Sequence, residues 1–204
     1  MKKIPCLIFI FFLFIDLAFC AQEEFTFEFK EKGIVVYSKN ISGSNIKEFY
    51  SSTVLNGNIR DIVHIINDFS SYNRLFPDVY YSELVESNDA FDIYYQIIDD
   101  NFFLKKRELF VEKKIFYDND LIVIRFNAIS HKKYPVTKAY FRITNLYGEW
   151  ILTDYMSGQK TIVLYRIKRD LAGYLPDFIV NRINKSHAFN ILYFLKEYLY
   201  STGK

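Results

Sequence analysis

Apolar residues recur at every second position along most of this chain and switch to a helical spacing only near its C-terminal end. After Gly33, the run Ile34-Val35-Val36-Tyr37 predicts a strand, and a second spans Ile46 to Leu55. Asn56-Gly57-Asn58 is a turn, with Asn58 placed to cap a helix and Asp61 in its first turn. Ile59, Ile62, Val63, Ile66 and Phe69 then fall on one helical stripe that ends near Ser70-Ser71, and Pro77 closes the following loop. Strands resume from Val79 to Val85, with a turn at Ser87-Asn88-Asp89. Phe91, Ile93, Tyr95 and Ile97 alternate on the next strand, which ends in a turn at Asp99-Asp100-Asn101. Arg107, Leu109, Val111 and Ile115 share one parity of a further strand, and Glu108, Glu112 and Lys114 share the other. Asp118-Asn119-Asp120 reads as a tight hairpin, followed by Ile122, Ile124, Phe126 and Ala128. After the loop Lys132-Lys133-Tyr134-Pro135, strands are expected from Thr137 to Leu146, Trp150 to Tyr155 and Thr161 to Lys168, with turns at Gly148 and Gly158.

The C-terminal end reads differently. Residues 170–181 run DLAGYLPDFIVN. Gly173 interrupts the preceding strand, and Pro176 is tolerated in a first helical turn, where its missing N–H would be unpaired anyway. From there Ile179, Val180, Ile183, Ile191, Phe194, Leu195, Tyr198 and Leu199 keep one face of a long helix buried. Two strands, a small helix, a series of strands joined by tight turns and a final long helix predict an α+β fold. In that fold a curved antiparallel sheet wraps around the C-terminal helix, with the small helix after the second strand. A sheet closed by a helix is a container, and a container implies a ligand.

The N-terminus adds a targeting signal. Met1-Lys2-Lys3 precedes an apolar run from Ile4 to Ile15, then Leu17-Ala18-Phe19-Cys20-Ala21. The run is shorter than the ~20 residues a membrane-spanning helix needs. Residues 1–20 are therefore expected to be a signal peptide cut before Ala21, leaving one domain over 21–204 that is exported to a periplasm or secreted. An uncleaved anchor is one alternative. Another reads Leu17-Ala18-Phe19-Cys20 as a lipobox, with a lipid-anchored Cys20. Both cysteines, Cys6 and Cys20, fall in this segment, so the domain is expected to hold itself together by its core and without a disulfide. Half the residues are hydrophobic and include 17 Tyr and 21 Phe, which supply that core. The formal net charge of +2 argues against nucleic acid as a partner, because phosphate binding needs a concentrated basic face. The frequent Ile, Lys, Asn, Phe and Tyr hint at an AT-rich bacterial genome.

Several segments, in this order, carry a family resemblance. They are Lys32-Gly33-Ile34-Val35-Val36-Tyr37-Ser38, Ile46-Lys47-Glu48-Phe49, Lys106-Arg107-Glu108, Pro135-Val136-Thr137-Lys138-Ala139-Tyr140-Phe141-Arg142, and residues 170–181. Their order and spacing resemble a START domain, the lipid-binding branch of the helix-grip superfamily, from about Phe25 to Tyr200. Glu108 stands where that family usually has Asp, and Tyr72 where Trp is common. The resemblance implies one lipid, sterol or other apolar molecule held in a tunnel under the long helix, with no cofactor and no reaction. Some helix-grip relatives are cyclases or hydrolases on apolar substrates.

Candidate cavity residues follow from strand parity and helix face. Arg107 shares parity with Leu109 and Val111; it would hold a ligand's polar head, pair with a carboxylate, or snorkel to water at the mouth. His187 is in step with Ile183 and Ile191 and would donate to a ligand hydroxyl or carbonyl, or be satisfied within the core; Asn190 lies near that face. Tyr95, Phe126 and Tyr165 occupy apolar parities, and the lone Trp150 opens a strand; each lines a cavity or simply packs the core. Ile183 and Phe194 are the apolar lining candidates on the helix. Gly173 and Tyr174 mark a candidate lid or hinge, with helix-start geometry as the ordinary explanation of the glycine. Lys132, Lys133 and Tyr134 form a basic, aromatic loop suited to transient contact with an anionic membrane, or to a solvated turn.

Catalytic signals are weak. His64, His131 and His187 are scattered, no spacing suggests zinc, and neither a phosphate-cradling glycine loop nor a Gly-x-Ser-x-Gly elbow is present in the sequence. The expectation is a monomeric binder of a lipid or other hydrophobic small molecule, without metal or catalytic residues. Two alternatives stay open. A helix-grip cyclase or hydrolase predicts titratable groups converging in the tunnel with perturbed pKa values. A ligand-free interaction module predicts an interior filled by the chain's own rings.

Overall fold

The computed structural model describes residues 25–99, 105–118, 121–130 and 139–202. The N-terminal segment expected to be a signal peptide, with Cys6 and Cys20, the hairpin residues Asn119 and Asp120, and the Lys132-Lys133-Tyr134 loop lie outside the described residues.

The architecture is α+β, as the alternation implies. Three strands, β1 (Phe25–Glu31), β2 (Ile34–Ile41) and β3 (Ser44–Asn56), lead into α1 (Ile59–Asn67), a 3-10 turn (Phe69–Ser71) and α2 (Tyr72–Leu75). Then come β4 (Val79–Ser87), β5 (Asp92–Ile98), β6 (Arg107–Asp118), β7 (Leu121–Ile129), β8 (Phe141–Arg142), β9 (Leu146–Tyr155) and β10 (Lys160–Arg169), and finally α3 (Asp177–Ser201). The curved sheet runs β1-β2-β3-β10-β9-β7-β6-β5-β4, all antiparallel, and β8 joins β6 in parallel. Because β10 pairs with β3, the last strand of the chain returns to the first three, in the middle of the sheet. The long helix α3 lies across β2, β3 and β10, while α1 and α2 cover the space beside it.

Local chemistry explains these elements. Asn58 caps α1, its Oδ1 accepting from the Asp61 N–H at 3.0 Å. Ile62, Val63 and Ile66 are buried from α1, and the stripe continues through Phe69 into the 3-10 turn, where the α-helix has already ended at Asn67. Before α3, Ala172 and Gly173 both have positive φ (56° and 81°), which reverses the chain between β10 and the helix.

Four features depart from the alternation as read. The sheet begins one strand earlier than Gly33, at β1. The Thr137 to Leu146 strand is not continuous: between residues 139 and 146 only Phe141–Arg142 pairs. Gly148 is no turn but sits inside β9, opposite Ile167 and Phe126. A Cβ there would collide with the Phe126 ring, so glycine is what lets that ring pack against the strand. In β5, finally, the residues facing the interior are Tyr94, Gln96 and Ile98, one position out of step with Ile93, Tyr95 and Ile97. Ile93 and Ile97 are nevertheless 5% and 8% exposed, so both faces of this strand are covered and period-two alternation cannot choose between them.

Candidate functional site

A cavity lies between α3, the 3-10 turn and the sheet. Its walls are Phe69 and Tyr72 above, Ile98, Leu109 and Val111 on β5 and β6, Phe126 on β7, Leu146 and Trp150 on β9, and Tyr165 and Ile167 on β10, with Ile191 from the helix. The aromatic rings pack in contact: Trp150 and Tyr165 at 4.5 Å between centroids, Phe69 and Tyr72 at 4.3 Å, Phe69 and Phe126 at 5.8 Å. Trp150 is fully buried. In this conformation the rings leave a volume of about 50 Å³. That is space for a water or two at ~30 Å³ each, well below the ~300 Å³ at which ligand pockets begin.

The charged groups of this cavity gather near the end of β10. His187 Nδ1 lies 2.8 Å from Asp78 Oδ2, and its Nε2 lies 3.0 Å from the Tyr165 hydroxyl. Burial alone would push the Asp78 carboxyl up; the charge and hydrogen bond of His187, with Arg169 behind it, outweigh this and hold it below its ordinary value. Asp78 is therefore an anion at neutral pH. Arg169 is 2% exposed and donates through Nε to Asn184 Oδ1 at 2.9 Å, while Asn184 donates back to the Arg169 carbonyl at 2.8 Å. Gln96 donates to Ser82 at 3.0 Å. The Tyr72 phenol, pushed well above its ordinary value by burial, stays protonated and donates to the Ile66 carbonyl at 2.8 Å. Among the described residues no group of three or more His, Cys, Asp or Glu side chains is placed to hold a metal ion.

Of the residues singled out from the sequence, Phe126, Trp150, Tyr165 and His187 come together in this cavity. Tyr95 faces the other side of the sheet, its hydroxyl donating to Glu108 at 2.8 Å and its ring 5.0 Å from Phe110. Arg107 sits at the start of β6, buried, and donates to the carbonyls of Leu171 (3.1 Å) and Lys105 (2.6 Å). It pins the chain just before Gly173, so Tyr174 begins the loop that is free of that anchor and is fully exposed. Glu108 takes Arg142 at 2.8 Å on the outer face. Ile183 is half-buried and borders a pocket on the flank of α3, which Asn190 shares. Phe194 packs at the core's edge beside Tyr193.

Among the polar residues of the cavity and its surroundings, Asp78, Gln96, Arg169 and Asn184 escape the sequence reading. Arg169 and Gln96 carried a signal, since each continues the inward parity of its strand, Tyr165 and Ile167 for one, Tyr94 and Ile98 for the other. Asn184 is four residues from both Val180 and Ala188, on the buried face. Asp78 gave none: its partner lies 109 positions away. Lys113 was missed likewise. It is 2% exposed on the inward parity of β6 and bonds Asp92 at 2.8 Å and the Asn67 carbonyl at 2.9 Å, tying the sheet to the end of α1.

Solved structures share this arrangement. A STAR-related lipid transfer protein from Xanthomonas axonopodis superposes with a TM-score of 0.78 at 24% identity, over 86% of this chain and 98% of its own. The fold is that of the START-like helix-grip proteins. Human StAR-related lipid transfer protein 5 superposes over 96% of this chain and 95% of its own, with a TM-score of 0.77 at 13% identity. An aromatase/cyclase from a Streptomyces species superposes with a TM-score of 0.52 at 12% identity over 74% of this chain and 92% of its own. No family model matches the chain. No curated protein matches it significantly.

Proposed function

We propose that this protein binds one hydrophobic small molecule, a lipid, in the space under α3. The observation that carries this reading is the cavity's asymmetry: apolar and aromatic walls on β5, β6, β7 and β9, with charged groups only where Asp78, Arg169 and His187 meet. Such a site buries a chain for about 25 cal/mol per Å² and orients one polar head. The START-like fold, shared with proteins named for lipid transfer, supports it. At about 50 Å³ the cavity must widen to take a lipid, so binding requires α3 and the loop before it to move. Tyr174 and Phe178, exposed at the start of the helix, and Lys105 and Lys106, stacked over Phe141 and Tyr80, give that region the basic and aromatic character of a membrane contact. Export through residues 1–20 would place the carrier in a cell envelope or outside the cell.

Binding is preferred to catalysis for a geometric reason. The aromatic and apolar walls outnumber the polar groups, and Asp78, His187 and Tyr165 bond one another at one end of the cavity, the layout of a single head-orienting end. The small cavity favours a second reading, an interaction module whose interior is filled by its own rings. Native mass spectrometry of the protein from a lipid-containing host separates the two. An added mass of lipid size, lost on denaturation, is expected; a bare mass that persists after incubation with mixed phospholipids and sterols would favour the filled module.

A further inference from the structure

Asp78 and His187 border two spaces. Inward they close the apolar cavity. Outward they border a pocket of about 370 Å³ on the flank of α3, together with Ile179, Arg182, Ile183, Ser186 and Asn190. The helical residues recur at spacings of three and four, so they form one flank about 16 Å long at 1.5 Å rise per residue. The hydrogen bond between Asp78 and His187 is thus part of the wall common to both spaces.

The pocket's charges are unequally matched. The carboxylate of Asp78 is answered by His187 at 2.8 Å and by the nearby Arg169. Arg182, Ser186 and Asn190 have no hydrogen-bond or ion-pair partner among the described residues. They stand four residues apart in series and offer a guanidinium, a hydroxyl and an amide to the same volume. Ile179 and Ile183 line the side nearer the core. The pocket is therefore rich in uncommitted donors, has one unanswered positive charge, and adjoins an apolar interior.

We propose that this outer pocket seats the anionic head, a phosphate or carboxylate, of an amphiphile whose apolar part enters the cavity where the Asp78–His187 bond now closes the wall. The inference rests on the binding reading above and specifies its ligand class. Arg182 reads the anionic group, in the bidentate manner a guanidinium favours. Ser186 and Asn190 donate to its remaining oxygens. A free inorganic anion offers the same chemistry without the chain, so the test must separate the two.

Titration calorimetry on the purified protein and on Arg182→Ala, with decyl phosphate, decanol and inorganic phosphate below micellar concentrations, does so. Arg182 is exposed, and the variant is expected to keep the parent's melting temperature. The proposal expects decyl phosphate to bind about tenfold tighter than decanol, the worth of one charge-assisted hydrogen-bond pair. Arg182→Ala removes that difference and leaves decanol unchanged. Equal binding of the two decyl compounds in both proteins would overturn the head site while leaving the cavity reading intact, as would a preference for the phosphate that survives in Arg182→Ala. Inorganic phosphate binding as tightly as decyl phosphate, with both lost in the variant, would make this a free-anion site and contradict the amphiphile. Failure of both decyl compounds to bind would sink the cavity reading and this inference with it.

Discussion

From Ile191 to Leu199, α3 is fastened by side chains for which water does not compete: Ile191, Leu192, Leu195 and Leu199 are all at most 4% exposed. From Asp177 to Ala188 the same helix turns a different face to the sheet. Its buried residues there are Val180, Asn184 and Ala188, smaller or polar side chains, and a series of hydrogen bonds adds to their attachment. Asp177 accepts from Asn45 at 3.0 Å, Asn181 accepts the Lys47 N–H at 2.8 Å, Asn184 exchanges bonds with Arg169, and His187 bridges Asp78 and Tyr165. Burying a leucine or isoleucine contributes about 1.5–3 kcal/mol, whereas an ordinary hydrogen bond nets about 0.5–1.5 because water replaces it when broken. The far half is thus a clamp and the near half a set of exchangeable bonds. The near half is also the part beside the cavity's polar end and the exposed Tyr174. On the proposed binding reading, a container that opens would have its strong fastening at one end of the lid and its replaceable fastening at the other.

Substitutions in the two halves should separate them. Leu195→Ala, at a fully buried position, is expected to cost about 2–5 kcal/mol, read as a lowered urea midpoint. A cost below 1 kcal/mol would mean the far half is no clamp. Asn184→Ala strips the buried Arg169 of an acceptor and is expected to cost about 1–3 kcal/mol, less than the leucine. Were it to cost more, the near half would be the tighter one and the comparison would reverse.

The smallest effect is a matter of pH. The Asp78 carboxyl releases its proton more readily folded than unfolded, so its contribution to stability is present above the unfolded value near 3.8 and is lost as pH falls through the lower folded value. Asp78→Asn should therefore be less stable than the parent at pH 7, and the gap should close on acidification below about pH 4. Glu28 and Asp92 are held low as well, by Ser38 and Lys185 and by Lys113, against burial that pushes them up; the parent-minus-variant difference isolates Asp78 from them. A gap that is constant from pH 7 to pH 3 would show that the carboxylate is not paired as described.

The order of strands and the final helix were legible because alternation and three-four spacing are local signals, and most of the sheet depends on nothing else. Facing was harder. In α3 the apolar stripe points to Ile183 and Phe194, yet the buried line runs through Asn184 and Ala188, because an asparagine with an internal partner looks like surface in a sequence. In β5 both faces are covered, so Tyr95 reads as well inward as outward. The cavity's aromatic walls, Phe126, Trp150 and Tyr165, follow from strand parity and ring size. Its polar end does not, since Asp78 and His187 meet only through the fold, and neither side chain's neighbours in sequence foretell the other.

Hydrogen exchange of the α3 amides, followed by mass spectrometry with and without a phospholipid and sterol extract, tests the central claim most directly. If the near half is the replaceable fastening of a ligand cavity, amides from residues 181–188 exchange faster than those from 191–199 in the free protein and slow when lipid is loaded. Uniform protection along the helix, unaltered by lipid, would contradict the account.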